Sequence, residues 1–140
     1  FSEEGAGIDG KSFSLLPVEI FYRETGKTKK VTEYPCDGKL LKAAEQVKTK
    51  YHTGRGVIGS GDEWNNQLDR IALLRERYHT AVEDMESAAA AQLCLSYGVP
   101  FLGVRILSNS IVNGEKFDEA VGIDGQKFML SLVDQMREYM

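Results

Sequence analysis

The residue of this sequence best suited to chemistry is a glutamate between two apolar stretches. Glu86 follows Thr80-Ala-Val-Glu and precedes the alanine-rich run Ala88 to Leu95. Its two carboxylate oxygens suit two adjacent hydroxyls, such as those of a ribose diol. If Glu86 is buried it requires donors, because an unpaired buried charge is costly. The alternative is a carboxylate satisfied by a helix N-terminus, and the residue pattern alone favours this alternative.

A single tryptophan is the second candidate. Trp64 follows the turn-like Gly59-Ser-Gly-Asp and is suited to stacking on a planar base. A lone tryptophan more often belongs to a core, which is the competing interpretation. Two polar residues near such turns, Asp62 and Asn109, are equally typical of ordinary turn positions.

An arginine within an apolar run is the third candidate. Arg105 interrupts Phe101 to Leu107, which predicts a buried partner for its charge. Asp62, Asp84 and Glu86 are the candidate partners. A purely structural ion pair would explain the same arginine without any binding role.

The elements that must position these residues alternate between strand and helix patterns. In the first half of the chain, apolar spacing, caps and breakers predict a hairpin with strands in Phe13 to Phe21 and Val31 to Tyr34, a helix over Gly38 to Lys50 capped by Asp37, and a short buried strand at Val57-Ile58. In the second half they predict a helix through Leu68 to Tyr78, a helix over Ala88 to Leu95 that is buried nearly all round, and a central strand over Phe101 to Leu107. A final amphipathic helix is predicted with Phe128, Leu132, Val133 and Met136 on its apolar face. This order predicts an α/β fold in which ligands bind beyond the carboxyl ends of the strands.

Composition places the chain in the ordinary globular class. It has 140 residues, 42% hydrophobic and 27% charged, with a net charge of −4. These values argue against disorder and against a nucleic-acid binder that relies on a positive field. The two cysteines are too few for a disulfide framework, and neither a metal site, a membrane span nor a signal peptide is indicated. We expect residues 1–140 to form one domain in a cytoplasmic protein. The start at Phe1, without an initiator methionine, favours a piece of a longer chain.

Three motifs carry a resemblance to a known family. They are Gly56-Val-Ile-Gly-Ser-Gly-Asp, Ala81-Val-Glu-Asp-Met-Glu-Ser-Ala-Ala-Ala-Ala and Gly98-Val-Pro-Phe-Leu-Gly-Val-Arg-Ile-Leu-Ser-Asn. In order and spacing they resemble the C-terminal half of the nucleoside phosphorylase/nucleosidase superfamily, and within it most of all the methylthioadenosine/S-adenosylhomocysteine nucleosidases. The resemblance covers about Gly54 to Tyr139. It implies a three-layer α/β fold with a mixed, largely parallel central sheet flanked by helices, and it shifts our interpretation of Glu86 towards a functional role.

The resemblance also implies roles for individual residues. Met85 and Glu86 match the family positions that hold the ribose. Trp64 matches an aromatic beside the purine, and Asn65 matches a residue whose backbone atoms bond the base edge. Arg105 matches a buried arginine of the site, and Phe117 matches an aromatic over the 5′ substituent. The implied reaction is cleavage of the N-glycosidic bond of a purine nucleoside or 5′-thionucleoside, without a metal or organic cofactor.

One position departs from the family pattern. Ser108 and Asn109 fall on the Ser-Asp pair at which the family's general acid protonates purine N7. An amide can donate a hydrogen bond to N7 but cannot transfer a proton at neutral pH. Three interpretations remain open: a purine enzyme that uses hydrogen bonding alone, an enzyme selective for another base, or a binding or storage relative with little turnover.

The family's N-terminal half lies outside these 140 residues. In the family that half contributes the water-activating carboxylate or the phosphate-binding residues, so the acceptor is either water or phosphate. The resemblance further implies a homodimer or larger homo-oligomer. Composition and the absence of a long apolar stretch predict no nucleic-acid or membrane partner.

Overall fold

The computed structural model of the protein describes residues 17–137. The elements in this range are β1 (Val18–Tyr22), β2 (Lys27–Val31), α1 (Gly38–Gln46), β3 (Val57–Ser60), α2 (Leu68–Tyr78), β4 (Thr80–Asp84), α3 (Ser87–Tyr97) and α4 (Ala120–Met136). The α/β class predicted from the sequence is confirmed. The part of the predicted hairpin before residue 17 lies outside the described residues.

The strands pair in two small sheets. β1 and β2 form an antiparallel hairpin in which Val18 faces Val31, and β3 runs parallel to β4 with Ser60 beside Asp84. The hairpin prediction is confirmed, but β2 consists mostly of the lysine-rich stretch that was expected to be the turn. This stretch is exposed, and lysines are common on exposed strand edges because their charge discourages pairing with other chains.

Local chemistry sets the start of α1, as predicted, and the end of α3. Asp37 caps α1, because its Oδ1 accepts from the backbone N–H groups of Lys39 at 2.8 Å and Leu40 at 3.0 Å. Gly98 ends α3 in the left-handed conformation, with φ of 67°. The predicted continuation of α1 to Lys50 is wrong, since Val47 is already extended. Valine and threonine in this stretch are poor helix formers.

Three predictions of complete burial are wrong. Phe101 to Leu107 forms no strand, and Leu107 is 68% exposed. A central strand needs a hydrogen-bonded neighbour on each side, whereas within residues 17–137 β3 and β4 pair only with each other. Helix α3 buries Ser87 and Ala91, which lie four positions apart on one face, and leaves Leu93 exposed. Val57 at the start of β3 is 48% exposed.

The core forms where the helices pack against the strands and against one another. Leu74 of α2 and Leu132 of α4 are almost fully buried, which confirms that the predicted apolar face of α4 includes Leu132. Helix α2 packs on β4, α3 on β1 and β3, and α1 on α4. Because β3 and β4 are parallel, their carboxyl ends open at the same edge of the sheet. No helix within residues 17–137 has the length and apolar character needed to cross a membrane.

Candidate active site

A buried aspartate at the end of β4 organises this edge of the sheet. The side chain of Asp84 is 6% exposed. Its Oδ1 accepts from the backbone N–H groups of Glu86 at 3.3 Å and Ser87 at 3.1 Å, and its Oδ2 accepts from the Ser87 hydroxyl at 2.5 Å and from Nε of Arg105. One carboxylate therefore fixes the start of α3 and the position of the arginine.

The surroundings of Asp84 favour its charged form. Burial raises the pKa of this carboxyl, but hydrogen bonds from the hydroxyls of Ser87 and Ser60, from the Ser87 backbone N–H and from Arg105 outweigh burial and lower the pKa overall. Asp84 is therefore a carboxylate at neutral pH, and its negative charge compensates the guanidinium beside it.

The end of β3 is tied to the same carboxylate. The Ser60 hydroxyl bonds Asp84 and also accepts from the backbone N–H of Ala88 at 3.0 Å, in the first turn of α3. The N–H of Gly61 donates to the Asp84 carbonyl at 3.0 Å. Sequence reasoning treated Asp84 only as one possible partner of Arg105. The spacing Asp84-x-x-Ser87 before a helix, typical of a capping aspartate, was the signal for its second role.

Glu86 lies at the start of α3 with its carboxylate in solvent. Its side chain is 71% exposed, and Oε2 lies 3.9 Å from an Nη atom of Arg105 and accepts from the Met85 N–H at 3.2 Å. The Glu86 carboxylate is therefore not buried, and it does not require the donors that a buried charge would need. Asp84 rather than Glu86 bonds the N–H groups at the start of α3, so the Glu86 carboxylate is open to a ligand.

Arg105 forms an ion pair with a buried carboxylate, as its place in an apolar run predicts. That partner is Asp84, while Asp62 forms no ion pair within the described part of the chain. The arginine side chain is itself 34% exposed. The fully buried arginine implied by the family resemblance is therefore partly open in this chain.

A cleft of about 280 Å³ lies beside this cluster. Its walls come from the ends of β3 and β4, from the following loop and from α2, and comprise Gly59, Gly61, Asp62, Glu63, Asn65, Arg70, Leu74, Glu83 and Asp84. The predicted site residue Asn65 lies in the wall, where its Nδ2 donates to Oε2 of Glu83 at 2.9 Å. Sequence reasoning did not identify Glu83, which alternates with inward residues of β4 and resembles an ordinary surface glutamate.

The remaining predicted residues lie on loops, some of them exposed and some half-buried. Trp64 and Phe117 are each 68% exposed, and Met85 is 46% exposed. Ser108 and Asn109 are half-buried neighbours joined by a hydrogen bond. Within residues 17–137 no hydrogen bond, ion pair or ring contact links Trp64 or Phe117 to this pair.

The predicted site residues thus fall into separate contact groups. Glu86 and Arg105 both bond Asp84, and the Met85 N–H donates to Glu86. Asn65 bonds Glu83 at the cleft, and Ser108 bonds Asn109. The loop that carries Phe117 is tied to the last group, because the N–H of Asp118 donates to the Ser108 carbonyl at 3.3 Å. The described residues contain no cluster of His, Cys, Asp and Glu suited to holding a metal ion.

Comparison with known proteins assigns the family. The family model of the phosphorylase superfamily matches residues 11–136. The chain belongs to the phosphorylase superfamily. The superfamily resemblance predicted from the sequence is confirmed.

Named relatives from this superfamily cover most of the chain. A 5′-methylthioadenosine/S-adenosylhomocysteine nucleosidase of Bacillus pumilus (strain SAFR-032) is 34% identical over 131 residues, which are 86% of this chain and 56% of the relative. The protein of the same name from Aeromonas salmonicida (strain A449) is 32% identical over 125 residues, or 84% of this chain and 54% of the relative. The chain spans about half the length of these curated relatives. No solved structure matches it significantly.

Proposed function

We propose that the protein cleaves the N-glycosidic bond of a purine nucleoside or 5′-thionucleoside. The observation that carries this proposal is the placement of Glu86, an exposed carboxylate at the start of α3 with its Oε2 3.9 Å from Arg105. The names of the relatives, which are 5′-methylthioadenosine/S-adenosylhomocysteine nucleosidases, support the same reaction class.

Glu86 would act on the ribose. As the bond to the base breaks, positive charge develops on the ribosyl ring, and a carboxylate bonded to the ribose hydroxyls stabilises that charge. Because the charge is greater in the transition state than in the substrate, the interaction accelerates the reaction rather than only tightening binding. Arg105 would orient Glu86 from its anchored position on Asp84, and Met85 would pack against the sugar.

The base and the 5′ substituent would contact the loops. Trp64 would stack on the purine, backbone atoms of Asn65 would bond the base edge, and Phe117 would cover the 5′ substituent. Asn109, supported by Ser108, would hold N7 of the leaving base through its amide. No metal or organic cofactor is part of this proposal.

A second candidate is a nucleoside-binding or storage protein of the same superfamily. Asn109 is the observation that favours it, since the loss of a general acid typically costs about 10²–10⁴-fold in rate. Such a protein would keep the ribose and base contacts but release little base.

The deciding experiment incubates the full-length protein with methylthioadenosine, adenosine and inosine, with and without phosphate. We expect free base to appear, with phosphate dependence separating phosphorolysis from hydrolysis. Retained nucleoside binding without base release at high protein concentration would reject the enzyme and favour the second candidate. A protein that neither binds nor cleaves these nucleosides would contradict both.

Assembly and location are part of the same proposal. We propose a homodimer or larger homo-oligomer in the cytoplasm. The assembly is supported by an open apolar groove on α4, where Leu130 is 68% and Val133 46% exposed. Sedimentation of the full-length protein at micromolar concentration tests it, and a monomer would contradict it.

A further inference from the structure

The loop between β3 and α2 is fastened to its neighbouring strand by one amide. Nδ2 of Asn65 donates to Oε2 of Glu83 at 2.9 Å, and Oδ1 of Asn65 accepts from the Gln67 N–H at 3.2 Å. Both ends of the amide are engaged, so these contacts favour a single orientation of the side chain. Glu83 thereby connects the middle of the loop to β4.

A second contact holds the same loop from the opposite side. Glu63 forms an ion pair with Arg70 of α2, whose side chain is 21% exposed. Trp64 stands between Glu63 and Asn65 in the chain, and both neighbours line the cleft of about 280 Å³. The tryptophan is therefore carried by a segment attached to a strand on one side and to a helix on the other.

We propose that Glu83 is a positioning residue that sets the affinity for the nucleoside base by holding Asn65, and with it Trp64, at the edge of the cleft. The inference rests on the proposed function, because that function supplies the nucleoside base as the ligand of this loop. A loop that is ordered before binding loses less conformational entropy when the ligand arrives. Glu83 contacts the loop and not the reacting atoms, so its effect belongs to binding.

The expected effect follows from the chemistry of this contact. Without the carboxylate, the Asn65 amide loses one partner and the loop must be ordered by the ligand. The Kd for methylthioadenosine should therefore rise about two- to tenfold, as expected for one hydrogen bond at an exposed site. KM should rise in parallel where base release occurs, while kcat changes little.

The test compares Glu83→Ala, Glu83→Gln, Asn65→Ala and the double variant Glu83→Ala/Asn65→Ala in the full-length protein. Glutamine keeps an acceptor for the Asn65 amide and should restore near wild-type affinity. Asn65→Ala keeps the backbone and should match Glu83→Ala, and the double variant should be no weaker than either single one. Glu76→Ala, an exposed glutamate on α2, is the matched control.

Trp64 supplies a readout that does not depend on turnover. It is the only tryptophan of the 140 residues, and subtracting the emission of Trp64→Phe isolates its signal in the full-length protein. The fluorescence anisotropy of this signal without nucleoside should decrease in Glu83→Ala and Asn65→Ala, because the released loop lets the indole move, and should remain near the wild-type level in Glu83→Gln and Glu76→Ala.

Unchanged anisotropy and Kd in Glu83→Ala would overturn the inference. So would additive losses in the double variant, or a glutamine variant as weak as the alanine one. If the wild-type protein releases no base, only the proposed catalysis fails, because the anisotropy and the Kd still test Glu83.

Discussion

The Ser108 hydroxyl donates a hydrogen bond to Oδ1 of Asn109, with 3.0 Å between the two oxygens. The amide oxygen is therefore engaged, and the NH₂ group is the end of Asn109 that can serve a ligand. This end donates a hydrogen bond but does not deliver a proton at neutral pH. The pair is suited to holding a leaving base without protonating it.

Asn109→Asp is expected to increase base release from adenine nucleosides, because a protonated carboxyl can give its proton to N7. The gain is at most on the order of 10²–10⁴-fold, the range that general acids supply. Activity should fall as pH rises through the pKa of the new carboxyl, which partial burial raises. Initial rates of base release from methylthioadenosine, adenosine and inosine across pH measure both effects.

The matched control for this change is Asn113→Asp. Asn113 follows in the same loop and donates to Glu115 at 3.2 Å rather than bonding Ser108, so base release should not increase. If Asn109→Asp folds and binds methylthioadenosine yet gains no activity with any purine nucleoside, Asn109 does not contact the leaving group.

Glu86→Gln is expected to abolish base release while the fold remains intact. Glutamine keeps the size and one acceptor but cannot compensate the charge of the ribosyl cation, so kcat should fall more than KM rises. Removing a main electrostatic contributor lowers kcat about 100-fold or more. Steady-state kinetics with methylthioadenosine measures this loss, and Glu76→Gln on the exposed face of α2 is the control. A loss of less than about threefold would assign Glu86 a structural role.

Asp84 is expected to make the folded state sensitive to acid. Its pKa is lowered by folding, so the stability it contributes is complete above the ordinary aspartate pKa of about 3.9 and is lost as pH falls through the lower folded value. Between pH 7 and about pH 3, the free energy of unfolding measured with urea should decrease less for Asp84→Asn than for wild type. Asp134→Asn, at a side chain that is 73% exposed, should retain the wild-type pH dependence. Equal acid losses for wild type and Asp84→Asn would contradict this assignment.

Leu74→Ala is expected to destabilise the protein by about 2–5 kcal/mol, because it leaves a cavity between α2 and β4. Leu74 is 1% exposed, whereas Leu68 on the same helix is 59% exposed. Leu68→Ala should therefore change the free energy of unfolding by less than about 0.5 kcal/mol. Urea denaturation of both variants measures the difference, and similar values for the two would reject this packing of α2.

Local elements of the fold were predictable because local chemistry decides them. The Asp37 cap and the left-handed Gly98 depend on residues within a few positions of one another, and the two hairpin strands are joined by a short turn. The Phe101 to Leu107 stretch was not predictable in this way. An apolar run becomes a central strand only where neighbouring strands supply its backbone hydrogen bonds, and those neighbours are distant in sequence.

The candidate site also combines features that the sequence determined with features that only the tertiary structure decided. The sequence by itself determined the superfamily and the identity of Glu86, Arg105 and Asn109 as the residues to question, because motif order and spacing are properties of the chain. Only the tertiary structure decided that Asp84 binds Arg105 and that Glu83 holds Asn65. Each of these side chains meets a partner from another element, and a hydrogen bond forms only where the fold brings donor and acceptor within reach.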